Sequence, residues 1–318
     1  LQLLVDFARH HPENVATVRR ELICWQIFDG DPELARHADA MRRELTRWHH
    51  ERLDARMGGH DWTESLQFQH GLTEAEMTRL RGVLGRTTFL LESVAFAFDT
   101  ALDPATVPAG GIWVSRTLSQ PFPSRYRVSI NTETGRHYDL LVILRDDLDE
   151  AQVMRTFQLV ASIRSWPDEA PVLPRLGAVR TDLGAASLAF ASGLTVWDRI
   201  RQHAALPSDV SAYGRDGWRR LMVAGMATAL VAWRHSNRQV VPGMVTPSNV
   251  VLPDRDWQRG RLVISLASWR TYRGPLDLAR PLLLNFLRLP ASHFPALAGT
   301  LDDHWLLEAV PEALGQAE

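Results

Sequence analysis

The chain has 318 residues with 35 basic and 37 acidic side chains, a net charge of -2, and 45% hydrophobic against 23% charged residues. Every basic side chain is arginine, so chemistry that needs an ε-amino group is excluded, and the near-neutral balance gives no electrostatic drive towards nucleic acid or an anionic membrane. The length suits two or three domains with sizeable cores, and no uncharged apolar run of about 18 or more residues predicts a membrane span.

Codon bias in a GC-rich genome is the expected reason for arginine replacing lysine on a surface. Selection, however, would keep a lysine whose compact and tunable ammonium were catalytic. The single Cys24 cannot form an internal disulfide and fits a reducing cytoplasm, where a small buried side chain in a helix is its expected role. The chain opens on Leu1 within an apolar stretch, which reads as a segment of a longer protein.

Residues 1 to about 105 read as entirely helical. Asp31-Pro32-Glu33 supplies an N-cap, a first-turn proline and an early carboxylate; Leu34, Ala38, Met41, Leu45 and Trp48 then form one face until Gly58-Gly59 stops the helix. Thr73 with Glu76 is a capping box opening a second run through Met77, Leu80, Leu84, Leu91, Val94 and Phe98. Such stripes bury against each other as a bundle or against the more C-terminal part of the chain. His10, His11, His49, His50 and His60 carry no His-Glu-x-x-His spacing, and neighbouring helix positions point about 100° apart, so solvated positions are expected rather than a metal site.

Pro104 to Gly111 reads as a linker or turn. Ile112-Trp113-Val114 begins a strand, Tyr126, Val128 and Ile130 alternate as a half-buried one, and Tyr138 to Leu144 is the near-continuous apolar run of an interior strand after the turn at Glu133-Thr134-Gly135. A helix is predicted from about Asp149 to Trp166, two short strands at 174–179 and 185–190, and a helix led by Gly193-Leu194-Thr195-Val196-Trp197. Trp218 to Trp233 is apolar and rich in small residues, as in a helix packed on several sides. The leucines at 282–284 and the Trp305-Leu306-Leu307 region read as core helices.

No Gly-x-Ser-x-Gly elbow, Walker lysine or Rossmann glycine fingerprint is present. Asp54, Glu64, Asp302 and Asp303 sit where caps and solvated faces are expected, so a paired-carboxylate hydrolase has no support.

The order of strands and helix from 111 onward resembles the protein-kinase-like fold. Gly193 to Trp197 resembles the segment leaving the kinase hinge, Trp218 to His235 the helix before the catalytic loop, and Pro242 to Asn249 a His-x-Asp-x-x-Pro-x-Asn loop. Leu262 to Ala267 is similar to the strand ending in Asp-Phe-Gly. The resemblance implies an α+β fold of two lobes, a small antiparallel sheet plus a helical lobe, with an all-helical N-terminal extension: 1–107, 108–193 and 194–318.

Carried over residue by residue, the resemblance implies an emptied site. The catalytic aspartate falls on Met244, which has no basic site near neutral pH, and the histidine on Pro242. Asn249 keeps the metal-side asparagine, but the Asp-Phe-Gly aspartate falls on Ser265, a weak ligand for magnesium. The phosphate-binding lysine could only be Arg145, Glu150 is the only carboxylate early in the next helix, and the loop 119–124 has no glycine to cradle phosphate. Structural roles are expected for Arg145 at a strand end, for Asn249 in a turn and for Ser265 in a strand.

These readings predict a degenerate, catalytically inactive regulatory or scaffolding module in the cytoplasm, without a cofactor, whose partners are other domains of the same polypeptide or another protein. The segment also resembles bacterial regions accompanying PEP/pyruvate-binding, PEP-synthase-like enzymes. The alternatives are a nucleotide-binding kinase-fold enzyme that uses ATP and magnesium through Asn249 and an arginine clamp, and a non-kinase α+β interaction domain attached to a PEP-synthase-like enzyme.

Overall fold

Helix boundaries follow the caps written in the sequence. The computed structural model describes residues 1–28, 31–117, 124–148, 175–204, 216–227 and 246–252, with short stretches and single positions elsewhere between 214 and 312. The N-terminal helices are α1 (Gln2–His10), α2 (Val15–Phe28), α3 (Pro32–Met57), α4 (Glu74–Leu84) and α5 (Phe89–Phe98). In α3 the Asp31 carboxylate accepts the amide protons of Glu33 and Leu34, and Gly58 ends the helix in the left-handed conformation at φ 53°.

The capping box of α4 forms as expected. Glu76 Oε2 accepts the Thr73 amide at 2.8 Å and Thr73 Oγ1 accepts the Glu76 amide at 3.3 Å. Burial pushes the Glu76 carboxyl up, but hydrogen bonds from Thr73, Tyr126 and Arg116 outweigh it and bring it down to about 2. One carboxylate therefore caps α4 and ties it to two sheet strands. Thr73→Ala will lower stability by about 1 kcal/mol in urea unfolding, and Thr73→Ser will restore most of it.

Two features depart from the sequence reading. The run expected from Thr73 to Phe98 is broken at 85–88, where the Gly85 amide closes α4 on the Arg81 carbonyl and Thr87 Oγ1 caps the Phe89 amide. The stripe of leucines continues across the break, so spacing alone hides it. The region is also not entirely helical: β1 (Leu66–Phe68) pairs in parallel with β2 (Ile112–Arg116), through Leu66 with Ile112 and Phe68 with Val114.

With β3 (Arg125–Asn131), β4 (His137–Leu144), β5 (Leu176–Arg180) and β6 (Ala185–Ala189), these strands form a six-stranded sheet of order β1-β2-β3-β4-β6-β5. From β2 onward every neighbouring pair is antiparallel. The two-residue period places Tyr126, Val128 and Ile130 on one face with Tyr138, Leu140, Val142 and Leu144. Register brings Val114, Val128 and Leu140 side by side across three strands. As its composition predicts, β4 is an interior strand, with Leu141 and Ile143 buried on its other face as well.

The helices cover that first face. Leu53 and Met57 of α3, Leu80 and Leu84 of α4, and Phe89, Leu91 and Val94 of α5 share one core with the sheet residues Ile112, Val128 and Leu140. A second cluster joins Val5, Val15, Leu22, Leu45 and Phe96. Close approach of α5 to β5 and β6 depends on Gly177, because a Cβ there would collide with Ser187 Oγ and press on the Ser93 carbonyl. The helical segment and the sheet therefore belong to one compact unit, which holds Leu1–Thr117 and the strands through to Phe190.

A second unit begins at Ala191. There β7 (Leu194–Thr195) pairs with β9 (Val250–Leu252), which pairs in turn with β10 (Arg261–Leu262). Separately, β8 (Val240–Pro242) pairs with β11 (Trp269–Thr271), both sheets being antiparallel. Helix α6 (Val196–Ala204) starts on Thr195, whose Oγ1 accepts the Asp198 amide at 3.0 Å. The stretch 216–227 is helical throughout, with Trp218, Leu221, Met222 and Met226 buried. The predicted helix from Asp149, most of the strand after Leu262 and the leucines at 282–284 lie outside the described residues.

The chain is α+β, with a mixed six-stranded sheet and helices. Among the described residues no helix is long and apolar enough to cross a membrane.

Candidate functional site

Of the four positions taken from the kinase resemblance, two are placed in part. Arg145 directly follows β4, and its guanidinium donates to both carboxylate oxygens of Asp147, at 2.9 and 2.5 Å. Its backbone amide donates to the Gly184 carbonyl at 2.7 Å. Asn249 closes a short 3-10 turn, Pro247–Asn249, that enters β9, beside a buried hydroxyl pair formed by Thr246 and Ser248 at 2.7 Å. Met244 and Ser265 lie outside the described residues.

The first unit holds a denser arrangement that sequence reasoning missed. Glu92 of α5 is buried, and its Oε1 accepts from Thr88 Oγ1 at 2.6 Å and from Arg180 Nη1 at 3.1 Å. The same Arg180 nitrogen lies 2.8 Å from His50 Nε2. His50 Nε2 also lies 2.9 Å from Thr88 Oγ1 and 3.2 Å from Glu92 Oε1. The other edge of Arg180 grips Asp182 through Nε at 2.9 Å and Nη2 at 2.7 Å, and this hydrogen bonding holds the guanidinium above its ordinary range. The cluster thus joins α3, α5 and β5 through the Arg180 guanidinium and the Glu92 carboxylate.

His49, next in sequence, has the opposite fate and corrects the expectation of solvated histidines. Only 4% of it is exposed, its ring lies 5.3 Å from that of Phe96, and neither ring nitrogen has a hydrogen-bond partner. Burial, followed by the charges of Arg52, Arg19, His50 and Arg56, lowers its pKa from 6.5 to about 4, so the imidazole is neutral at pH 7. The signal was available in the sequence. The buried positions Ala38, Arg42, Leu45, His49, Leu53 and Met57 recur every three or four residues, whereas a stripe drawn through Met41 and Trp48 points one position away.

A cavity of about 170 Å³ opens at His49. Val15 from α2, Leu53 from α3 and Leu91 from α5 supply apolar wall, while Arg52, Arg56 and Glu13 line it with side chains that reach solvent. The cavity lies where the two hydrophobic clusters meet, since Leu53 and Leu91 belong to one and Val15 to the other. Its chemistry is that of a small, mostly apolar chamber with two neutral polar residues, His49 and Thr100, in its lining and a net positive approach.

No family model matches the chain, and no curated protein matches it.

Proposed function

We propose that the chain is a kinase-like two-lobe module that has lost phosphoryl transfer and acts by regulating or scaffolding other domains of its own polypeptide or a partner protein. The observation that carries this reading is the combination of five mutually antiparallel strands, β2 to β6, with a Pro247-Ser248-Asn249 turn that leads straight into an apolar paired strand. Around that scaffold the sequence puts methionine and serine where charged groups are needed, and no lysine anywhere.

Arg145 supports the loss of catalysis. Phosphoryl transfer is almost entirely positioning and charge neutralisation. The planar fork that could grip phosphate is already matched to the carboxylate of Asp147 two residues away. Met244, Asn249 and Ser265 supply neither a proton acceptor for a substrate hydroxyl nor an anionic ligand for magnesium.

Purified chain will show no transfer of the terminal phosphate of ATP to itself or to generic protein substrates. Millimolar ATP with magnesium will leave its melting temperature unchanged, and Asn249→Ala will behave as wild type. A magnesium-dependent rise of several degrees that disappears in Asn249→Ala would establish the nucleotide-binding alternative instead.

A further inference from the structure

We infer that the cavity beside His49 is a binding site for a small monocarboxylate with an apolar body of about the size of a benzene ring. Three independent features of the cavity converge on that occupant, and none depends on the kinase-like reading.

The first is an unmet hydrogen-bonding demand. Buried polar groups are nearly always paired, and leaving one unpaired is costly. Both nitrogens of His49 are unpaired, on a residue 4% exposed that lines the cavity wall. A neutral imidazole offers one N–H donor; both nitrogens are covered in this arrangement, so the ring turns about its Cβ–Cγ bond to present that N–H to a carboxylate oxygen in the cavity. By contrast, Glu92, Ser93 and Ser187, buried in the same unit, find partners within the protein, whereas the Trp62 indole Nε1, like His49, does not.

The second feature is charge. Arg52 and Arg56 line the cavity, and among the described residues Glu13 is the only carboxylate that does. Among the described residues neither arginine forms an ion pair, although Glu13 acts on Arg52 at longer range. The approach therefore carries one uncompensated positive charge, and the Arg52 guanidinium can meet an incoming carboxylate with a charge-assisted hydrogen bond.

The third is size and lining. A dry cavity of about 150 Å³ is enough to admit benzene, and this one measures about 170 Å³ with Leu53, Leu91 and Val15 in its wall. Pockets of this build, mostly apolar with a few placed polar groups, take ligands whose orientation the polar groups fix. An inorganic anion would leave the leucines facing empty space, and an uncharged hydrocarbon would leave His49 unpaired.

The test is calorimetric titration of the whole 318-residue chain with benzoate. Saturable one-to-one binding is expected in roughly the 0.1 to 3 mM range, typical of so small a ligand. Benzyl alcohol, the same ring without the charge, should bind at least about tenfold more weakly. Arg52→Gln should weaken benzoate binding about five- to tenfold, whereas Glu13→Gln should tighten it a few-fold, and both residues reach solvent, so the fold tolerates either change. In nitrogen-detected NMR, benzoate should shift the His49 ring resonances of the wild type. Absence of saturable binding by about 10 mM would overturn the inference, as would equal binding of benzyl alcohol, or benzoate binding that ignores Arg52→Gln and leaves His49 unshifted.

Discussion

Arg180→Met will destabilise the first unit by about 3 kcal/mol, at the lower end of what breaking a buried ion pair costs. The loss comes from the partner left behind. Glu92 is 5% exposed at its side chain and Arg180 16%, so the carboxylate cannot turn to water when the guanidinium is gone. Thr88 still donates to it, but one neutral hydroxyl cannot replace a cation. His50 Nε2 loses its contact with the guanidinium at the same time. Asp182 contributes little, because its side chain is 60% exposed and its pair with Arg180 is that of a surface bridge.

The double variant Arg180→Met, Glu92→Gln separates the two causes. If the penalty is an orphaned charge, removing that charge recovers most of the loss of about 3 kcal/mol, since a buried pair replaced by neutral groups is close to neutral overall. If urea unfolding gives the double variant the same stability as the single one, the loss is one of packing alone and the electrostatic account of the cluster fails.

Acidification from pH 6.5 to 4 will remove about 3 kcal/mol of stability through His49 alone. The sign follows from proton binding in the two states. Unfolded, the imidazole takes up a proton below its ordinary value of 6.5; folded, it stays neutral down to about 4. The unfolded chain thus binds more protons across that window, and the native advantage, complete above pH 6.5, shrinks as pH falls. The groups that set the shift are Arg52, Arg56 and His50 on α3 and Arg19 on α2, all adding positive charge to the effect of burial, with Glu13 as the nearby carboxylate lining the cavity.

His49→Phe should flatten the stability profile between pH 4 and 6.5 relative to wild type, because phenylalanine keeps an aromatic contact with Phe96 and titrates nothing. Carboxylate titrations common to both proteins cancel in the difference. A wild-type imidazole resonance for His49 that moves with a midpoint near 6.5 would refute the prediction outright.

Much of the first unit was legible because its signals are local. Asp31-Pro32, the Thr73 and Glu76 pair, and the alternation of Tyr126, Val128 and Ile130 each depend on neighbours within a few residues, and each element stands where those neighbours put it. What escaped was non-local. Leu66-Gln67-Phe68 is too short to show alternation and becomes a strand only because the edge of β2 is free to receive it. Glu92 sits in an apolar helix as an apparent flaw until Arg180, 88 positions later, arrives to pair with it. His49 escapes because two phases fit the upper part of α3, and only Leu53 and Met57 further down decide between them. The absence of lysine was legible outright, since it needs no coordinates.

Helix α5 is buried almost all round, with Phe89 to Val94, Phe96 and Ala97 covered, and the strands that cover it end at Ala189. On the ribosome α5 is finished about ninety residues before its roof. At about 5 to 20 residues per second, the face of α5 that the sheet will cover waits for roughly 5 to 20 seconds with only the earlier helices beside it. A nascent chain in that condition is a natural client for holdase chaperones, and the yield of this protein in cells should depend on translation speed between positions 98 and 189 more than on the final stability of the fold.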